Sequence, residues 1–157
     1  MTDHILQVKN LRKSFKNVQA VKDFSIDISA GEIVALLGPN GAGKTTAINC
    51  LTTLLKPDSV NLVSISGVVV TNNIKKARKF FGLCPQHLNL YEGSTVNENL
   101  ELQAYFTSIP KAHLKARITT LLDVVDLSDK KNAFVKNLSG GMQRRLQIAR
   151  AYSRNLD

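Results

Sequence analysis

At positions 38–45 the chain carries the run Gly38-Pro39-Asn40-Gly41-Ala42-Gly43-Lys44-Thr45, which has the pattern G-x-x-x-x-G-K-[ST]. The apolar segment 32–37 precedes it and a helix-like segment begins at Thr46, so a buried strand, a glycine-rich loop and a helix are predicted in that order. Glycines let successive N–H groups point inward around an anion, and the helix adds the positive end of its dipole. We therefore predict a loop that binds the phosphates of a nucleoside triphosphate, with Lys44 on the β- and γ-phosphates and Thr45 on Mg²⁺.

Length and composition are those of one globular domain, since 157 residues are enough for a single core. The sequence shows neither an apolar run of membrane-spanning length nor the pattern of a signal peptide, which predicts a cytoplasmic protein. Cys50 and Cys84 indicate reduced thiols rather than a disulfide framework or a metal site. The net charge of +9 fits either a phosphate-rich partner or several solvated helix faces, and the scattered positions of the basic residues favour the second.

The hydropathy pattern predicts strands before and after the loop. They are expected over 5–11 and 24–29, within 60–70 around Gly67, and over 81–86, where a proline ends the last one. A short basic helix is expected near 73–80. The chain is therefore predicted to combine a mixed set of strands with helices.

Helices are predicted on either side of these later strands. The helix after the loop should end near Leu55, because Pro57 cannot continue it. Thr95 and Glu98 have the spacing of a capping box, which starts a helix to about position 106, and Pro110 opens the next helix. Apolar residues then recur at helical spacing and are expected in the core rather than on a ligand surface: Leu114, Ile118, Leu121, Leu122 and Val125.

A second motif, Leu138-Ser139-Gly140-Gly141-Met142-Gln143, follows these helices. By itself it has an ordinary explanation, because Ser139 is a good N-cap for a helix. Together with the phosphate loop and the Pro85-Gln86 strand end between them, it resembles the signature motif of the ATP-binding cassette (ABC) family. A P-loop enzyme of another family, such as a kinase, would leave this motif unexplained. The resemblance covers essentially the whole chain.

The resemblance implies an α/β fold of the P-loop NTPase type. It would comprise an ABC-type core with an N-terminal antiparallel β subdomain and a helical insert at about 88–137, within a single domain 1–157 that lacks the C-terminal part of the core. The implied cofactors are ATP and Mg²⁺, the latter held by Thr45 and Gln86. The residues implied in ATP binding are Phe15, Gly38, Pro39, Asn40, Gly41, Ala42, Gly43, Lys44, Thr45, Thr46 and Gln86. Phe15 would stack on the adenine, with simple core packing as the alternative.

The family also implies partners. In a head-to-tail dimer, Leu138, Ser139, Gly140, Gly141, Met142 and Gln143 would contact the ATP bound by the second nucleotide-binding domain. A transmembrane permease subunit would be coupled through Gln86, at the cytoplasmic face of the membrane, and no specific nucleic acid is expected.

By the family's spacing, the Walker B aspartate would fall about five residues beyond Asp157, so Asp157 does not have that role. The catalytic glutamate, the D-loop and the switch histidine are likewise expected to be missing. We therefore expect this chain alone to bind ATP weakly, with little or no hydrolysis. We also expect Ile33–Leu37 to present an open apolar edge.

Two segments, Gly82–His87 and Leu138–Leu146, resemble the ATP-binding subunits of ABC-2 type exporters. A soluble ABC protein acting on ribosomes or nucleic acid is the alternative from another class, mildly favoured by the +9 charge. Such proteins usually carry tandem cassettes or long insertions, and this sequence shows neither. An inactive truncated remnant is the third alternative.

Overall fold

The computed structural model describes residues 4–107 and 111–153. The chain forms two compact units, Met1–Phe81 and Gly82–Asp157. The single domain predicted above stays a prediction. Pro110 and Asp157 lie outside the described residues, so the predicted roles of Pro110 as a helix opener and of Asp157 as a residue other than the Walker B aspartate stay predictions. The predicted helix itself is described from Lys111 onward.

The first unit is built on a four-stranded antiparallel sheet in the order β2-β1-β3-β4. Its strands are β1 (His4–Phe15), β2 (Val18–Ser29), β3 (Leu62–Ile65) and β4 (Val68–Val69). Both hairpins turn over two residues, and positive φ angles of 51° at Lys16, 47° at Ser66 and 73° at Gly67 suit tight turns that match the strand twist. The strands predicted near 5–11, 24–29 and 60–70 are confirmed, although β1 and β2 are longer than expected.

Helix α1 (Lys44–Leu51) packs against β1 and β2, where its Ala47 and Cys50 are buried in the core of this unit. Burial raises the pKa of the Cys50 thiol. The helix ends four residues before the predicted Leu55, because Thr53 adopts a left-handed φ of 59° that a right-handed helix cannot include. Arg78 holds this turn by donating to Thr53 Oγ1 at 2.6 Å and to its carbonyl oxygen at 3.1 Å.

The predicted basic helix near 73–80 is confirmed as a short helix α2 (Ile74–Ala77) that continues into a 3₁₀ turn over Arg78–Phe80. Asn73 caps it, because its side-chain oxygen accepts a hydrogen bond from the Lys76 N–H at 3.0 Å.

The segment 32–37 before the phosphate loop does not form a strand, so that prediction is wrong. No described residue forms a strand ladder with it. A strand exists only through hydrogen bonds to a neighbouring strand, and an apolar run cannot reveal whether such a neighbour is present. Without a strand, the open sheet edge expected at Ile33–Leu37 is not formed either, although the apolar residues themselves are exposed, Ile33 to 98% and Leu37 to 87%.

The second unit contains helices α3 (Val96–Thr107), α4 (Lys111–Val124) and α5 (Gly140–Tyr152). The predicted capping box is confirmed, because the Glu98 N–H donates to Thr95 Oγ1 at 3.2 Å while the Thr95 N–H donates to Glu98 Oε2 at 2.7 Å. The predicted apolar stripe of α4 is in the core, with Leu114 packed at its margin. Helices thus occupy most of the predicted insert at 88–137, which ends in two 3₁₀ turns, Ser128–Lys130 and Val135–Asn137.

The segment 81–86 also forms no strand, which corrects another prediction. From Gly82 onward it runs close to the C-terminal end of α5, where a Cβ on Gly82 would lie 2.0 Å from the carbonyl oxygen of Ala151. Only a glycine allows the two backbones to approach so closely. The segment thus runs beside a helix end from Gly82 onward, whereas Phe81 packs against the core of the first unit.

Candidate nucleotide-binding site

The phosphate loop lies directly on the sheet of the first unit. Gly43, the N-cap of α1, has a φ of 84°, and a Cβ at this position would lie 2.0 Å from the carbonyl oxygen of Ala20 in β2. A side chain is therefore excluded here both by backbone conformation and by space. Glycine at this position lets the loop rest on β2 and pass at once into α1.

The Lys44 side chain lies across this loop. Its Nζ donates to the carbonyl oxygens of Gly38 at 2.7 Å and of Pro39 at 2.8 Å. The Ala42 N–H donates to the Pro39 carbonyl at 3.2 Å and closes a turn. The ammonium group is thus held beside the loop backbone, in a position to form charge-assisted hydrogen bonds to phosphate oxygens.

The start of α1 adds backbone donors to this positive charge. The N–H groups of Lys44, Thr45 and Thr46 belong to the first turn, whose N–H groups have no partner within a helix. They also lie at the positive end of the helix dipole. The structure thus places the nine predicted loop residues, 38–46, in one continuous loop and first helical turn, an arrangement suited to a phosphate chain.

Thr45 is exposed at the start of α1, and its hydroxyl oxygen is the kind of ligand that Mg²⁺ binds. Among the described residues, no group of three His, Cys, Asp or Glu side chains could hold a metal ion. Mg²⁺ commonly keeps several waters and binds substrate phosphates beside one or two protein ligands, so a single hydroxyl at Thr45 is compatible with such an ion.

Phe15 ends β1 and is 48% exposed rather than packed in the core. The Lys13 Nζ lies 5.6 Å from the centroid of this ring. The same ammonium pairs with Asp58 at 2.7 Å, and the carboxylate also accepts the Ser14 N–H at 2.6 Å. The hydrogen bond from Lys13, followed by the one from the Ser14 N–H, lowers the pKa of Asp58. These contacts fix the strand end and leave an aromatic face accessible to a planar ligand.

The second predicted motif begins α5 in the second unit. Ser139 caps the helix, because its Oγ accepts the Met142 N–H at 3.3 Å. Gly140 and Gly141 are exposed at the helix start, whereas Leu138 is buried beneath them. The motif therefore presents a helix N-terminus without bulky side chains, which again suits an anion.

Gln143 completes this motif from the first turn of α5. Its Nε2 donates to the carbonyl oxygens of Val135 at 3.2 Å and of Leu138 at 3.4 Å, so it braces the turn that leads into the helix.

Gln86 is exposed in the irregular segment of the second unit. Its backbone carbonyl accepts a hydrogen bond from Arg144 Nη1 at 3.4 Å. Sequence reasoning missed the buried Gln147, which is 2% exposed on α5 and donates to the carbonyls on both sides of Gln86. The sequence signal that could have identified Gln147 is its position as a polar residue between the apolar Leu146 and Ala149 of one helix. The structure thus brings Gln86 and the signature helix together in one unit, while the loop residues and Phe15 belong to the other.

The class of protein follows from comparison with known sequences. A sequence profile of the ABC transporter family matches residues 21–157. Because this match covers most of the chain, the chain belongs to the ABC transporter family.

Individual relatives agree with this assignment. The chain is 36% identical over 159 residues to methionine import ATP-binding protein MetN 1 of Salmonella choleraesuis (strain SC-B67), covering 96% of this chain and 46% of that protein. It is 38% identical over 154 residues to methionine import ATP-binding protein MetN of Clostridioides difficile (strain 630), covering 96% of this chain and 48% of that protein. The chain thus spans slightly less than half the length of these relatives.

Solved structures show the same fold. The ATP-binding subunit of an ABC transporter matches with a TM-score of 0.80 at 30% identity, over 96% of this chain and 62% of that one. CbiO1 from Clostridium perfringens, part of the ABC transporter complex cbiONQ, matches with a TM-score of 0.86 at 25% identity, over 97% and 62%. The P-loop NTPase fold of the ABC type predicted from the sequence is therefore confirmed. Within the described residues, no helix has the length and hydropathy needed to cross a bilayer.

Proposed function

We propose that the chain is the ATP-binding part of an ABC transporter and binds MgATP at Gly38–Thr46. The loop geometry is the observation that carries this proposal: a backbone held on β2, the Lys44 ammonium 2.7 Å from the Gly38 carbonyl, and an exposed helix start. In this role Lys44 and the loop N–H groups bind the phosphates. The Thr45 hydroxyl and Gln86 serve as ligands for Mg²⁺, which neutralises phosphate charge when bound.

Phe15 is proposed to hold the adenine, because its exposed ring face can stack on a base. The Lys13–Asp58 pair, with the Asp58 contact to the Ser14 backbone, would keep the ring at the end of β1.

The motif Leu138–Gln143 is proposed to act on the nucleotide of a second subunit in a head-to-tail dimer. Its exposed glycines and the capped start of α5 would direct N–H groups and the helix dipole at that nucleotide's γ-phosphate. Closing and opening of such a dimer would drive a permease subunit through Gln86 and the helices α3 and α4, at the cytoplasmic face of the membrane.

The kind of transporter is a finer proposal. The segments Gly82–His87 and Leu138–Leu146 favour an ABC-2 type exporter, whereas the two relatives named above are import proteins. The permease that co-purifies with the full subunit would decide between the two directions of transport. Co-sedimentation with ribosomes in its place would contradict the transporter proposal.

The test of nucleotide binding is calorimetric titration of the chain with MgATP. Lys44→Ala should weaken binding about tenfold or more, because a hydrogen bond to a charged group contributes about 1.5–3 kcal/mol and 1.4 kcal/mol corresponds to tenfold. Lys56→Ala is the matched control, since it removes the same charge from an exposed lysine of the same unit outside the loop. Equal affinities of the two variants would contradict the proposal.

A further inference from the structure

One helix supplies hydrogen bonds to successive carbonyl groups around Gln86. Arg144 Nη1 donates to the carbonyl oxygens of Pro85 at 2.7 Å and of Gln86 at 3.4 Å. Gln147 Nε2 donates to those of Pro85 at 3.3 Å and of His87 at 2.7 Å. Arg150, one further step of three residues along α5, donates through Nη1 to the carbonyl of Asn89.

The central donor, Gln147, lies in the interior of the second unit. It is 2% exposed, between the fully buried Leu146 and Ala149. A buried primary amide is costly unless its polar atoms are paired. Arg144 Nη1 donates to Gln147 Oε1 at 2.9 Å, which turns the NH₂ group of the amide towards the carbonyls of Pro85 and His87.

These side-chain hydrogen bonds satisfy backbone carbonyl groups that a helix or strand would otherwise pair. Residues 81–91 lie outside helices and strands, so their carbonyl groups have no regular backbone ladder to join. At the far end of the segment, Asn99 of α3 accepts the Tyr91 N–H at 2.9 Å and donates to the Tyr91 carbonyl at 3.0 Å. The backbone on both sides of Gln86 is thus fastened, while the Gln86 side chain is exposed.

We propose that Gln147, assisted by Arg144, is a positioning residue that fixes the backbone of Gln86 and couples it to the signature helix. This inference rests on the proposed function, in which Gln86 serves the bound MgATP. Ser139 caps α5, the helix that carries Gln147, so a displacement of α5 as a whole would move the donors that hold Pro85 and His87. Gln86 and the signature lie more than fifty residues apart in the chain. The side chains of Arg144 and Gln147 connect the two segments through their hydrogen bonds to Pro85 and His87.

The structural test is limited chymotrypsin digestion of the full chain, followed at Leu88, Leu90 and Tyr91. Gln147→Leu keeps the side-chain volume but removes the donors, and it should raise initial cleavage in this segment several-fold, since proteolysis reports local opening. Arg144→Met should act in the same direction without perturbing the core, and Arg144→Lys, which retains a donor, should largely restore protection. Arg145→Met is the matched control, because this neighbouring arginine pairs with Asp126 at 2.8 Å instead.

The functional test is a double-mutant cycle on the MgATP affinity, measured relative to ATP with EDTA. If Gln147 acts through Gln86, Gln147→Leu should lower the Mg²⁺-dependent gain in affinity, and should add nothing in a Gln86→Ala background. Additive losses, or wild-type cleavage in both Gln147→Leu and Arg144→Met, would overturn the inference. A Gln86→Ala variant with wild-type MgATP affinity would instead refute the proposed role of Gln86, while the cleavage data would still decide whether Gln147 fastens the segment.

Discussion

Replacing Gly43 by alanine adds one methyl group where the phosphate loop touches the sheet. Its φ of 84° lies in the left-handed region, which costs a residue with a Cβ about 1–2 kcal/mol. The new Cβ would start 2.0 Å from the Ala20 carbonyl oxygen and must reach ordinary contact at 3.4 Å, a displacement of about 1.4 Å. Overpacking of this kind costs about 1–3 kcal/mol. The free energy of unfolding should therefore fall by about 2–5 kcal/mol, a large part of the roughly 5–15 kcal/mol typical of a domain.

Gly31 provides the matched control, since its φ is 77° and a Cβ there would meet nothing within 4 Å. Gly31→Ala should carry the backbone cost alone, so the two variants should differ by the steric part, about 1–3 kcal/mol. Gly41→Ala, with a φ of 84° and open space, should resemble Gly31→Ala although it lies within the loop. Urea unfolding followed by circular dichroism measures all three. If Gly43→Ala were as stable as Gly31→Ala, the proposed contact between loop and β2 would be refuted.

Three further changes test other parts of the structure. Gly82→Ala should lower the thermal midpoint of the second unit, because its Cβ would lie 2.0 Å from the Ala151 carbonyl oxygen; an unchanged midpoint would contradict that close approach. Asp58, whose pKa is lowered by Lys13 and a backbone N–H, contributes stability that is fully present above its ordinary pKa of 3.8 and is lost as the pH falls through the lower native value. Asp58→Asn should therefore reduce the loss of unfolding free energy as the pH is lowered, which is measured by unfolding the two proteins at a series of acidic pH values. Ser139→Ala should cost about 1 kcal/mol through loss of the N-cap, and Ser139→Asp should recover most of it in thermal unfolding.

Features that depend on neighbouring residues could be predicted from the sequence. The phosphate loop and α1 follow from glycines and a lysine within eight positions. The capping box of Thr95 and Glu98 and the cap at Ser139 satisfy helix N–H groups three residues away. Each of these depends on backbone geometry that a few consecutive side chains determine.

Features that depend on distant partners could not be predicted in this way. The apolar segments 32–37 and 81–86 look like buried strands, but a strand needs a hydrogen-bonded neighbour that the pattern does not specify. The left-handed Thr53 that ends α1 is held by Arg78, 25 residues further along the chain. The role of Gln147 depends on carbonyl groups 60 and 62 residues away. In these cases tertiary contacts, rather than local propensity, decide the conformation.

The most direct measurement of the central claim is an NMR titration of the ¹⁵N-labelled chain with MgATP. The account predicts that amide shifts in the first unit concentrate at Gly38–Thr46, because the loop N–H groups bind the phosphates. Adenosine, which lacks phosphates, should leave the loop amides in place. Loop resonances that stay unmoved at saturating MgATP, or that move equally with adenosine, would contradict the claim that this loop binds the triphosphate.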